Sequence, residues 1–142
     1  MKNPNKYVLG FFGIVMRRGK VLIMRRRLDD TLGGTWDLPG GGHAKGELPE
    51  ETVRREVREE AGLKVQVGEV CHIYGPRPSL EAPGAEFFGI GYICRSARGK
   101  VRLSTEHTEY VWMNEKDFAI YKKEMAKGVR LALEAYFKRK NK

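Results

Sequence analysis

From Gly41 to Leu63 the chain reads GGHAKGELPEETVRREVREEAGL, and its punctuation leaves little freedom in what it can fold into. Glycines open the run, Pro49 suits a first helical turn, and Glu50 and Glu51 stand where the positive end of a helix dipole favours carboxylates. Gly62 is placed as the left-handed residue that ends the helix. Val53, Val57 and Ala61 recur at i, i+4 and i+8, so one stripe is apolar and must lie on a core. The segment therefore predicts a loop, an amphipathic helix and a second loop. On that helix Glu56 and Glu60 are four apart and Glu59 comes three after Glu56, so three carboxylates project from neighbouring positions. Hard oxygen ligands gathered this way suit Mg²⁺ or Mn²⁺. The alternative is a solvated helix laced by Glu50–Arg54, Glu51–Arg55 and Arg55–Glu59 pairs, each worth about a few tenths of a kcal/mol. On charge pattern alone that simpler reading is the favoured one.

The surroundings add weight to the first. The chain carries 27 Lys and Arg against 18 Asp and Glu, a net charge of +9. The segment holds six Glu against Lys45, Arg54, Arg55 and Arg58, and so is acidic inside a basic chain. An acidic island in a positive field is what a site for a metal-bound polyanion needs. With 142 residues, 41% of them hydrophobic, one compact domain over residues 1–142 is expected. Cys71 and Cys94 lie apart with no CxxC spacing, which argues against a zinc site or disulfide framework and for a reduced, cytoplasmic compartment. No stretch approaches the roughly 20 apolar residues a bilayer span needs, and the apolar run from Tyr7 to Met16 reads as a first strand, not a signal peptide.

Tyr7–Met16 and Val21–Met24, joined by a glycine turn, predict a hairpin; Arg25 to Gly34 reads as a polar loop, and Thr35 to Gly42 as a very short strand broken by Pro39 and three glycines. After the helix, Lys64–Tyr74, Phe87–Ala97, Lys100–Leu103 and Tyr110–Met113 read as strands, with an irregular Pro-rich loop from Gly75 to Ala85. Tyr121 to Lys140 reads as a basic helix with Met125, Val129, Leu133 and Phe137 on one stripe. Strands, one helix, more strands and a terminal helix argue for a mixed-sheet α/β or α+β sandwich.

The acidic segment matches, position for position, the signature GX5EX7REUXEEXGU, in which U is a bulky aliphatic residue; the matching residues are Gly41, Glu47, Arg55, Glu56, Val57, Glu59, Glu60, Gly62 and Leu63. In this, and in the preceding WDLPGG, the chain resembles the Nudix hydrolases. The resemblance implies an α/β/α sandwich with a mixed β-sheet and a catalytic loop-helix-loop, and Mg²⁺-dependent hydrolysis of a diphosphate linkage, with Mn²⁺ as a substitute. It implies metal ligation by Glu59 and Glu60, with Glu56 as a ligand or as the base for the attacking water. Glu47 would assist through metal or water, Gly41 would lend its backbone carbonyl, and Arg55 would hold the glutamates in place, a role suited to a guanidinium fork. Many relatives have a further Glu where this chain has Ala44, a change expected to alter metal number or affinity.

Outside the signature the signals thin. Relatives often recruit a downstream acidic residue, and of Glu106 and Glu109, Glu109 is taken as the candidate for water activation. Arg25, Arg26 and Arg27 could meet phosphates, and Trp36, Tyr74, Phe87 and Trp112 could stack a base, although aromatic residues beside strands are more often core. His43 reads as a solvated loop histidine, and His107 as lying in a polar loop without a metal-ligating partner. The expected partner is a small nucleoside diphosphate-linked molecule, not a membrane or nucleic acid, with a homodimer left open. The first expectation is a nucleoside triphosphate, oxidised forms included, cleaved to monophosphate and pyrophosphate. ADP-ribose, favoured lightly by Pro78, or a dinucleoside polyphosphate is the alternative, and a non-catalytic nucleotide- or RNA-binding module the alternative of another class. The intact Glu56, Glu59 and Glu60 set argues against the last.

Overall fold

The computed structural model describes residues 5–142 of the chain. Strands β1 (Tyr7–Arg17) and β2 (Lys20–Arg26) form the expected hairpin, but they pair only at its turn, through Met16–Val21 and Arg17–Lys20. Beyond that point the strands part. β1 pairs along its length with β6 (Glu86–Arg98), in parallel, and on its other edge takes up β4 (Gly40–Gly42) opposite Gly10 to Phe12. β2 instead pairs with β3 (Trp36–Asp37) and with β7 (His107–Met113). β5 (Lys64–Pro78) closes the far edge against β6, and the order along the sheet is β3-β2-β1-β6-β5. One parallel pair among antiparallel ones makes this the mixed sheet that was expected.

Side-chain alternation sends neighbouring residues of one strand to opposite faces. Val15, Leu22 and Met24 pack with Val53, Val57 and Ala61 of helix α1 (Pro49–Ala61), whereas Ile14, Val21 and Ile23 pack with Leu133, Tyr136 and Phe137 of the C-terminal helix. The sheet is thus sandwiched between the two helices. The α1 stripe is completely buried, and Gly62 ends the helix at φ 73° with its N–H donating to the Arg58 carbonyl at 2.9 Å. Cys71 and Cys94 are both free thiols. No helix among the described residues is long and apolar enough to cross a membrane.

Three expectations are corrected. Lys100–Leu103 is not a strand: its alternating residues find no neighbouring strand, and Arg102 N–H donates instead to the Ala61 carbonyl at 2.8 Å, fastening the segment to the end of α1. The Gly75–Ala85 loop is shorter than expected, because β5 runs on through Arg77 and Pro78, which pair with Phe87 and Glu86. The helix predicted from Tyr121 begins at Lys127. Tyr121 ends a short helix, α2 (Phe118–Tyr121), and Met125 adopts extended backbone to bridge to Trp36 before α3 (Lys127–Lys140) starts.

Candidate active site

The glycine turn and the helix meet at contact distance. A Cβ on Gly41 would lie 2.8 Å from the Glu56 carboxyl carbon, so only glycine lets that carboxylate rest on the β4 backbone. Gly40 N–H donates to Glu60 Oε1 at 2.8 Å. Between them, Arg55 organises the cluster. Its Nε and Nη2 grip Glu47 at 2.7 and 3.0 Å, Nη1 reaches Glu56 Oε1 at 2.8 Å and Glu59 Oε2 at 3.2 Å, and Nη2 also donates to the Gly42 carbonyl at 3.1 Å. Glu47 is bound up within this network. It accepts from Ala44 N–H at 2.7 Å and the Thr52 hydroxyl at 2.9 Å as well, and the Arg55 hydrogen bonds foremost hold its carboxyl down at about 2.

Glu60 has the opposite environment. It is only 6% exposed, its carboxylate accepts one hydrogen bond, from Gly40 N–H, and Asp37, Glu56 and Glu106 crowd it with negative charge. Burial first, and then these neighbours, push its carboxyl up to about 9. Burial likewise raises Glu56 against the opposing pull of Arg55. Among the described residues Glu60 has no salt bridge of its own, Arg26 being bonded to Asp30 and Asp37 instead. A buried carboxylate crowded by three others is a place where a divalent cation supplies what is missing, so these residues fit one. Glu59, on the rim, has its side chain 58% exposed.

Sequence reasoning weighed Glu106 but chose Glu109, and it gave His107 no metal-ligating partner. Glu106 lies in the turn before β7 and His107 begins that strand; ligand atoms of Glu60, Glu106 and His107 all lie within 4.8 Å of one another. His107 is thus not a loop residue without partners for a metal: it is buried beside two carboxylates. Backbone hydrogen bonds bring the turn there, with Ser104 N–H donating to the Glu60 carbonyl at 3.1 Å and Arg27 N–H to the Glu106 carbonyl at 3.0 Å. Glu109 stands apart from this group, its side chain 54% exposed and 3.8 Å from Arg25.

Next to the cluster lies a cavity of about 360 Å³ on the α3 face of the sheet. Phe12, Tyr74 and Phe87 supply its aromatic walls, and the Arg77 guanidinium sits 4.1 Å from the Phe87 ring centre. Arg26 and Asp37 line the end nearest the acids, joined by a 2.9 Å hydrogen bond. Of the four aromatic residues considered for stacking, Tyr74 and Phe87 reach this cavity, Trp36 is core, and Trp112 lies under Arg17. The arginine run is committed to protein carboxylates: Arg25 to Glu124, Arg26 to Asp30 and Asp37, and Arg27 to Asp29. His43 is exposed and edge-on to Phe11.

The family model for the NUDIX domain matches residues 6–135. A MutT-like protein of Streptomyces ambofaciens is 32% identical over 111 residues, which span 78% of this chain and 66% of that one. The nucleoside triphosphatase NudI of Escherichia coli O139:H28 is 33% identical over 108 residues, 71% of this chain and 77% of its own length. Among solved structures, the MutT protein of Methanosarcina mazei Go1 superposes with a TM-score of 0.80 at 27% identity, with 99% of each chain covered.

Proposed function

This chain belongs to the NUDIX family of hydrolases, and on that premise we propose that it cleaves a nucleoside triphosphate, oxidised forms included, to the monophosphate and pyrophosphate with the aid of Mg²⁺. The observation that carries the chemistry is the burial of Glu60, without a salt bridge of its own among the described residues, beside Asp37, Glu56 and Glu106. Glu56, Glu60 and Glu106 would hold the cation, with Glu59 at the rim and Glu47 acting through Arg55. When bound, the ion supplies positive charge to the diphosphate oxygens and to the leaving group. The chain supplies the positioning. Arg55 fixes the carboxylates, Gly41 lets Glu56 approach the backbone, and Glu56, with one oxygen tied to Arg55, keeps the other for the cation or the attacking water.

The substrate class is supported by the cavity and by the name of the NudI relative. A space of about 360 Å³ with Phe12, Tyr74 and Phe87 on its walls suits a planar base, and its Arg26–Asp37 end leads to the carboxylates where the phosphates would lie. The test is Glu60→Gln assayed with a panel of nucleoside triphosphates, ADP-ribose and dinucleoside polyphosphates, with phosphorus NMR to identify products. Turnover is expected to fall by about 10²-fold or more, with pyrophosphate released only by the parent protein. Full Mg²⁺-dependent activity in Glu60→Gln would refute the assignment, and release only from ADP-ribose would replace the substrate.

A further inference from the structure

His107 raises a question that the carboxylates do not answer. It is 6% exposed, and neither ring nitrogen has a hydrogen-bond partner. A buried polar group left without a partner costs about 1–3 kcal/mol, so an imidazole with both nitrogens unmet is rarely tolerated without a ligand. Its environment narrows the choice of ligand. An imidazole nitrogen without a hydrogen-bond partner has a lone pair to offer a metal, and a ring nitrogen lies within 4.8 Å of carboxylate oxygens of both Glu60 and Glu106. Two donors on one ion are about 3–4 Å apart when each sits roughly 2.1 Å from it, so small side-chain rotations close the group around a cation. The strand and turn that carry His107 and Glu106 are fastened by the Ser104 and Arg27 backbone hydrogen bonds, so the three donors are held together before any ion arrives.

We propose that His107 gives a ring nitrogen to the cation held by Glu60 and Glu106, making a mixed nitrogen and oxygen site that prefers a first-row transition ion such as Mn²⁺ or Co²⁺ over Mg²⁺. This rests on the acidic cluster being a divalent-cation site and goes beyond it in naming a nitrogen donor and the selectivity it brings. Mg²⁺ takes oxygen ligands and gains little from imidazole, whereas affinity for nitrogen donors rises along the series from Mn²⁺ to Co²⁺. The preference comes from one residue outside the Gly41–Leu63 signature.

The experiment loads the intact protein with Mn²⁺ alone and looks for a directly bound imidazole nitrogen by electron spin-echo modulation. Binding of Mn²⁺, Co²⁺ and Mg²⁺ is then titrated in the parent, His107→Leu and His107→Gln. We expect a nitrogen signal in the parent that both variants lose. Mn²⁺ and Co²⁺ affinity should fall by about tenfold or more, while Mg²⁺ affinity shifts by less than about threefold. Mn²⁺ that binds without a nitrogen signal in the parent protein overturns the assignment even if the variants fail to fold, and leaves the hydrolase reading intact. Equal losses for Mn²⁺ and Mg²⁺ in folded variants also overturn it. No binding of any divalent ion overturns the nitrogen ligand and the metal-dependent chemistry together.

Discussion

Arg55 donates five hydrogen bonds, to both oxygens of Glu47, to Glu56, to Glu59 and to the Gly42 carbonyl, and so ties the glycine turn to the helix through one planar group. Lysine keeps the charge but cannot present a rigid fork, and would satisfy only part of this set. Arg55→Lys is therefore expected to lower turnover by about 10–100-fold, the usual effect of losing a group that orients metal-binding side chains. Circular dichroism should be unchanged, and the Mg²⁺ concentration for half-maximal rate should rise; a variant with parent kinetics would show that the glutamates orient themselves. The residues of the signature were legible because their roles follow from spacing on one helix. Glu106 and His107 were not, since their closeness to Glu60 depends on where the turn before β7 is tied down, and a polar stretch such as SerThrGluHis reads simply as a loop.

At the scale of elements, α1 is held by a narrow stripe. Val57 is fully buried against Val15 and Leu63 in the core on that face of the sheet. Val57→Ala removes two methyl groups from a packed interior, and the expected loss is about 2 kcal/mol, read as a lower urea midpoint with unchanged slope. The same stripe explains why α1 and its boundaries could be read from the sequence: proline, period and glycine all agree. Agreement failed for Lys100–Leu103 and for the start of α3. The first alternates like a strand, yet its backbone caps the end of α1. The second has helical spacing from Met125 on, yet the Met125 backbone bridges to Trp36 and its side chain enters the core. In both cases a distant partner outweighed local pattern, which a single sequence does not encode.

The whole molecule registers the strain at Glu60 as a dependence of stability on pH. Below about pH 4.5 the folded and unfolded states both carry the proton. As pH rises above that value the unfolded state releases it, while the folded state holds it until about 9. The folded state then binds more protons, so the metal-free protein should lose stability steadily across this window. Thermal melts in chelator are expected to fall by more than about 3 °C between pH 5 and 8 relative to Glu60→Gln, and saturating Mg²⁺ should flatten the slope by keeping the carboxylate ionised. Parallel pH profiles for the parent and the variant would rule this out.

The partner of β1 carries a consequence for how the molecule comes into being. Its long neighbour is β6, so Tyr7 waits for Glu86 and Val15 for Cys94. Closing so large a loop is slow, and parallel pairing gives no hairpin shortcut. On the ribosome the Gly41–Leu63 segment is synthesised well before β6 emerges, and β4 has only an unsupported β1 edge to lie on. Glu106 and His107 follow β6 in the chain, so the group they form with Glu60 can be complete only after the strand that supports β1 has been made.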